Sequence, residues 1–374
     1  MDLVLNEEQT LLAQAVKDFA NARCPLSRAR KLRGTEEGFS RPLWKEMASL
    51  GWLGLTIDEQ HGGAGLGFRY LMVVLERLGR TLAPEPILST ALVAATAIEI
   101  GGSASVQEEH LPAIVQGERV FALAHQEAHS RFSLAAVDTS AEPVRGGWVL
   151  RGEKAHVPDG SVADHFIVSA RAPDGVALFV VPRAAKGVSV QRQSRIDGRS
   201  SAMIGLEGVT LSRDAKLGAE GRGLRLLERV IDAGTVGLTA EMLGSMSAAF
   251  AMTLDYLKTR VQFGVPIGSF QALQHRAARL FVEIELARSA VMYANGVLDG
   301  LDANASAARS ASVAKAKCSD AFMLIAHEGV QMHGGVGMTE EHDIGMFLKR
   351  ARVCEMTFGD AAYHRDRFAR LGNF

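Results

Sequence analysis

The chain has 374 residues, enough for two or three domains at roughly 150 residues each, which excludes a single small binding module. Forty-one basic and 42 acidic side chains leave a formal charge of −1, so no global electrostatic drive toward nucleic acid or an anionic membrane exists. Hydrophobic residues make up 47%, and the 38 Gly and 10 Pro are dispersed, a folded composition rather than a linker.

Cys24, Cys318 and Cys354 lie far apart and form neither a CxxC pair nor a zinc-like cluster, so they read as reduced thiols. The first residues carry Asp2, Glu7 and Glu8 where a signal peptide needs a basic start and an unbroken apolar run. No stretch approaches the ~18 apolar residues of a membrane span; the nearest, residues 90–100, is short and carries Glu99. A soluble cytoplasmic protein without metal or disulfides is expected.

In chain order, Leu11, Leu12, Ala15, Val16 and Phe19 recur at three- and four-residue spacing and predict an amphipathic helix over 6–33, with Asn6 as N-cap. A short helix follows over 44–50, ended by Gly51, then a glycine-rich loop over 61–67. Helical patterns resume over 70–78, 87–100 and 105–116, so residues 1–118 form an all-helical domain. From Val120 the texture changes. Short runs at 120–124, 148–150, 165–169, 176–181 and 200–206, separated by Gly, Pro and Asp, predict a small antiparallel β domain over 119–215. Arg145–Trp148 and Ala172–Gly175 carry hairpin-turn signals. The helical period returns over 224–259, 269–298, 307–332 and 344–371, a four-helix domain over 216–374. Small residues such as Gly237, Ala240, Gly244 and Ala248 suit close helix approach. The fold class is mainly α with a central antiparallel β domain.

Several motifs carry little. The glycines of 62–67 follow no strand and miss the GxGxxG spacing of a dinucleotide loop. His125, Glu127 and His129 do not make an HExxH helix, and no GxSxG elbow exists for a hydrolase nucleophile. Two later segments are more specific. Residues 255–275 end one helix, turn tightly at Gly264–Gly268 and restart with Ser269 as cap. Arg260 there offers a guanidinium fork for phosphate, and Gln271 an amide for a polar ring edge. Gln331-Met-His-Gly-Gly-Val-Gly337 lets backbone N–H groups approach a bulky polar ligand.

Together, in this order, the segments Arg260-Val-Gln-Phe-Gly-Val-Pro-Ile267 and Gln331 to Gly337 resemble the signatures of the acyl-CoA dehydrogenase family, and the resemblance spans the chain, from Gly51-Trp-Leu-Gly-Leu onward. It implies a helical, β-barrel-like, helical subunit in a tetramer, FAD bound at a subunit interface, and α,β-desaturation of an acyl-CoA thioester. It implies that Arg260 and Phe263 contact the pyrophosphate and adenosine of a neighbour's FAD, that Gln271 helps hold it, and that Gln331, Gly334 and Gly335 lie along it. Electron-transferring flavoprotein is the implied oxidant.

The sequence departs from that pattern where the chemistry sits. Desaturation needs a carboxylate to take the α-proton. The family's usual Glu aligns with Phe358, in Thr357-Phe-Gly-Asp-Ala-Ala-Tyr-His364, and the position used by a second subgroup is Gly234, 26 residues before Arg260. The flavin-side threonines of the β domain are replaced within His125-Gln-Glu127 and Lys154-Ala-His-Val-Pro158, and Pro158 lacks a backbone donor. The half of the site that serves a chain's own flavin is altered, while the half that completes a neighbour's is intact. This resembles the small subunits of heteromeric, pimeloyl-CoA or steroid-CoA type acyl-CoA dehydrogenases, and predicts pairing with a second such subunit as α2β2. Alternatives are a homotetramer with a relocated base, Glu241 or Asp232, and a non-catalytic stabilising subunit. Glu241 has its own structural reading as a carboxylate paired with a nearby arginine. Asp360, Tyr363 and His364 border the vacated position, without assigned roles.

Overall fold

The computed structural model describes residues 3–374. It forms two compact units, residues 3–30 with Phe68–Ala83 and Thr235–Phe374, and Lys31–Gly67 with Pro84–Gly234.

The chain opens with α1 (Glu7–Arg23), α2 (Leu26–Leu32) and α3 (Arg41–Ser49). Asn6 accepts from the Gln9 N–H at 2.8 Å while Gln9 Oε1 accepts from the Asn6 N–H at 3.1 Å, a reciprocal cap that starts α1. The single helix expected over 6–33 is two, because Pro25 disfavours helical backbone at Cys24. The helix expected from Trp44 begins earlier, at Arg41, with the Ser40 hydroxyl accepting from the Leu43 N–H. Then come α4 (Phe68–Gly79), a π-helical turn over Leu88–Ala94 running into α5 (Ala95–Gly101), and α6 (Ala104–Val115).

The sheet comprises β1 (Phe121–Ala124), β2 (Ser140–Val144), β3 (Gly147–Pro158), β4 (His165–Ala172), β5 (Gly175–Pro182), β6 (Val188–Arg192), β7 (Ser201–Ser212) and β8 (Lys216–Leu217). Its order is β6-β7-β3-β2-β4-β5-β8, with β1 also on β4. The two expected hairpin turns join β2 to β3 and β4 to β5. The sheet is mainly antiparallel, as expected, with two parallel pairings on β4: β1 runs parallel to it, Phe121 opposite His165, and Ser140 of β2 pairs with Arg171 in the same sense. Sequence periodicity carries no information on strand direction. Strand β3 loses register between Lys154 and Val157, where His156 takes φ 53°. Such a bulge re-aims side chains at one end of a sheet.

The C-terminal part holds α7 (Gly223–Thr259), a tiny hairpin of β9 (Val261–Gln262) and β10 (Val265–Pro266), then α8 (Gln271–Leu298), α9 (Ala307–His333), α10 (Ile344–Met356) and α11 (Ala361–Leu371). Two further expectations are corrected. Ser269 does not cap α8: its hydroxyl donates to Pro266 O, and Phe270 stands at the cap without a side-chain bond. The helix expected over 344–371 breaks at Thr357–Asp360, and Asp360 caps α11 by accepting from the Tyr363 N–H at 2.8 Å.

Small residues set the packing of the helical unit. A Cβ on Gly244 would stand 1.8 Å from Glu76 O, and one on Gly79 would stand 2.4 Å from Glu241 O, so α4 and α7 touch backbone to backbone. Val236, Ala294, Ala311 and Ala314 fill the adjoining α7, α8 and α9 core.

Candidate functional site

The end of α7, the start of α8 and the end of α9 meet at one end of the helical bundle. The Tyr256 and His333 rings lie 4.5 Å apart, and a Cβ on Gly329 would come 3.1 Å from the Thr253 hydroxyl. Arg276 on α8 donates to Glu328 on α9 at 2.6 Å. Arg260, Gln271, Gln331, Gly334 and Gly335 are therefore carried on elements that converge. The side chains of Arg260, Gln271 and Gln331 are exposed. Among the described residues, none of them takes a side-chain hydrogen bond. Gly334 (φ 64°) and Gly335 have no atom within 4 Å of where a Cβ would stand, so their backbone faces open space.

Between β9 and β10, Phe263 (φ 54°) and Gly264 (φ 81°) make a two-residue turn with positive φ at both positions, the geometry of a type I′ hairpin. Glycine adopts it freely, but a bulky phenylalanine there is strained, a condition that persists where function requires it. Phe263 is 92% exposed, with the edge of Phe270 at 6.1 Å between ring centroids. A cation fork, two free amides, an open glycine backbone and a projecting aromatic ring suit the pyrophosphate and adenine of a dinucleotide. These residues fit that half of FAD.

The β-domain residues fit it less well. Glu127 is buried, and its oxygens accept from Lys154 Nζ (2.6 Å), the Asp138 N–H (2.7 Å), and the N–H and hydroxyl of Thr139 (3.0 and 2.8 Å). Burial opposes its charge, but Lys154 and these donors win and hold the carboxylate down to about 2. Lys154, fully buried, also donates to the Ser169 hydroxyl. His125 is pushed down to about 4 by burial and by the Lys154 charge. His156 and Pro158 present no hydroxyl, and the His156 N–H is taken by Gln193 Oε1. Ligand atoms of Glu127, His129 and Asp138 do come within 4.8 Å of one another. The Lys154 ammonium already occupies the Glu127 carboxylate, an arrangement opposed to a second cation.

At the positions expected for the base, Phe358 has φ 60° and its carbonyl lies 3.1 Å from His364 Nε2. Lys315 Nζ donates to Gly359 O at 2.6 Å and Glu355 O at 2.9 Å. Glu241 is buried and faces the Arg350 fork, with Nε and Nη2 donating to its two oxygens at 2.9 and 3.0 Å. Asp232 is buried on the earlier part of α7, two residues before Gly234. The Glu127–Lys154 pair and Lys315 escaped the sequence reading. Lys315 had a signal, standing on a face of α9 otherwise made of Ala311, Ala314 and Cys318, all buried.

Family models for the N-terminal, middle and C-terminal domains of acyl-CoA dehydrogenases match residues 6–118, 121–222 and 221–372. An acyl-CoA dehydrogenase of Bacillus subtilis is 28% identical over 366 residues, 95% of each chain. Among solved structures, a chain of the ChsE4-ChsE5 complex from Mycobacterium tuberculosis has a TM-score of 0.91 at 28% identity, over the whole of both chains. A Tcur3481-Tcur3483 steroid ACAD variant has a TM-score of 0.89 at 33% identity, over 98% of both. No helix of the described residues is long and apolar enough to cross a membrane.

Proposed function

Because this chain belongs to the acyl-CoA dehydrogenase family, we propose that it serves flavin-dependent α,β-desaturation of an acyl-CoA thioester as one of two unlike family chains in an α2β2 assembly, whose partner supplies the base. When bound, FAD would supply the acceptor for the hydride of the β-carbon. Arg260 would hold the pyrophosphate of a neighbour's FAD, Gln271 and Gln331 would give amides to its polar edges, Gly334 and Gly335 would let the backbone approach, and Phe263 would offer a ring to the adenosine. In this reading 1–118, 119–215 and 216–374 act as the three domains, and electron-transferring flavoprotein takes the electrons.

One observation carries the proposal: among the described residues, the side chains of Arg260, Gln271 and Gln331 are exposed and take no hydrogen bond, which leaves them free for a neighbour's cofactor, while the segments 125–127 and 154–158 lack the threonines expected beside the chain's own flavin and phenylalanine occupies 358, the position aligned with the base. Phenylalanine cannot abstract a proton. Assembly is supported by Phe281, Val282, Leu286 and Tyr293, exposed apolar groups along α8 that a monomer would leave in water. An unlike partner is supported by the likeness to a chain of the ChsE4-ChsE5 complex, itself a two-protein assembly. The homomeric reading is weaker, since the Glu241 carboxylate is already engaged by the Arg350 fork at both oxygens, at 2.9 and 3.0 Å.

The flavin-to-chain ratio tests the proposal. The chain purified alone should hold well under one FAD per chain and turn over no acyl-CoA; produced with the product of its adjacent gene, it should gain both. Arg260→Met in the complex should lower the ratio again. Full flavin and full turnover from the chain alone would refute the heteromeric reading, and a colourless, inactive complex would favour the stabilising subunit.

A further inference from the structure

Helix α10 ends with carbonyls that have no intrahelical partner, and the following residues Thr357–Asp360 are irregular. Two buried side chains from other helices hold this segment. Lys315, on α9 and fully buried, spends its three N–H donors on Glu355 O (2.9 Å), Gly359 O (2.6 Å) and the Ser319 hydroxyl (3.2 Å). His364, on α11 and 1% exposed, has Nε2 at 3.1 Å from Phe358 O and Nδ1 at 3.3 Å from the Ser312 hydroxyl. Since a carbonyl only accepts, Nε2 carries the proton. Consecutive carbonyls of the loop are thus each gripped from a different helix. Between the grips stands Phe358 at φ 60°, a conformation unfavourable for a bulky residue and in need of outside support. Gly359 (φ 113°) leaves no room to relax, because a Cβ there would meet the Tyr363 ring at 2.4 Å and His364 Nε2 at 3.0 Å.

We propose that Lys315 and His364 are positioning residues that clamp the Phe358–Gly359 backbone and fix the Phe358 ring as a stationary apolar wall at the place of the base. That place rests on the alignment used above; the clamp rests on the geometry alone. Among the described residues the lysine meets no carboxylate at hydrogen-bonding distance, so its charge is held by dipoles, those of the α10 C-terminus included. Cys318 on its own helix, Cys354 and Glu355 on α10, and Asp360, His364 and Arg367 at α11 are the titratable groups around the pair. Burial outweighs them and pulls Lys315 down to about 8, while burial and the Lys315 charge push His364 to about 3. The clamp is therefore intact at neutral pH and loses its charge in mild alkali.

Hydrogen exchange on the full chain, in whichever assembly is stable, tests this. Lys315→Met should speed amide exchange across 356–361 at least tenfold and leave the core of α7 unchanged. If that variant does not fold, His364→Ala should do the same through the other carbonyl. In the wild type the 13C-methyl resonance of Met356 should move with a midpoint near pH 8, and in Lys315→Arg it should stay flat. Loop exchange at the wild-type rate in a folded Lys315→Met or His364→Ala, or an equal Met356 step in Lys315→Arg, would overturn the clamp. Failure of the heteromeric reading is read separately, from the flavin-to-chain ratio, and leaves the exchange result standing.

Discussion

Replacing Glu241 with alanine leaves the Arg350 guanidinium buried, with its forked partner gone. Both side chains are 7% exposed, and their two charge-assisted bonds are 2.9 and 3.0 Å long. Removing one member of a buried pair costs about 3–5 kcal/mol, most of it the desolvated charge left behind. Unfolding entropy of roughly 2.1 cal/mol/K per residue over 374 residues gives about 0.8 kcal/mol/K, so the Tm should fall by about 4–6 °C if the chain melts as one unit. Glu241→Met with Arg350→Met should recover most of this, since an apolar pair removes the stranded charge. Thermal and urea melts of the three proteins measure it, with turnover of the assembled enzyme followed in parallel. A Glu241→Ala protein that melts within about 0.5 kcal/mol of wild type yet has lost all turnover would refute the reasoning and return Glu241 to the role of base.

Two other outcomes follow from the geometry. Phe358→Glu puts a carboxylate at the position aligned with the family's base, but beside the flavin half that this chain has altered, so the assembly should turn over at the wild-type rate; added turnover would show that this chain binds and uses a flavin of its own and would refute the heteromeric reading. Glu127 is held well below the ordinary carboxylate value, so its stabilising contribution is complete above about pH 4.5 and is lost as the pH falls from there toward about 2. Glu127→Gln should flatten that part of the acid-unfolding curve, and a curve identical to wild type would remove the Lys154 pair as its cause.

The sequence was most informative where chemistry is carried by the backbone or by local pattern. Gly264, Gly334 and Arg260 were visible because a tight turn, an open glycine and a helix-end arginine need no distant partner to be recognised. The long period of α7 was equally plain. The break between α10 and α11 was not, because no proline marks it: Lys315, forty residues earlier than Glu355, holds the break open from another helix. Strands β2 and β6 were missed since Ser140-Ala-Glu-Pro-Val and Val188-Ser-Val-Gln-Arg are short and half polar. The Glu127–Lys154 pair joins residues 27 apart through a strand register that periodicity does not encode. The arginine beside Glu241 was anticipated as a type, but its identity as Arg350 required the packing of α7 on α10.

The apolar face of α8 and the strained Phe263 hairpin also bear on how such a chain lives before it has a partner. A newly made copy shows water Phe263, Phe281, Val282 and Leu286 on one continuous stretch of chain. Its solubility is then a race between the correct neighbour and any other greasy surface, chaperones and its own copies included. Surplus copies would be the first to aggregate or be degraded, so under the proposed α2β2 reading the supply of the two chains has to be matched in time and amount, a demand most simply met by making them side by side.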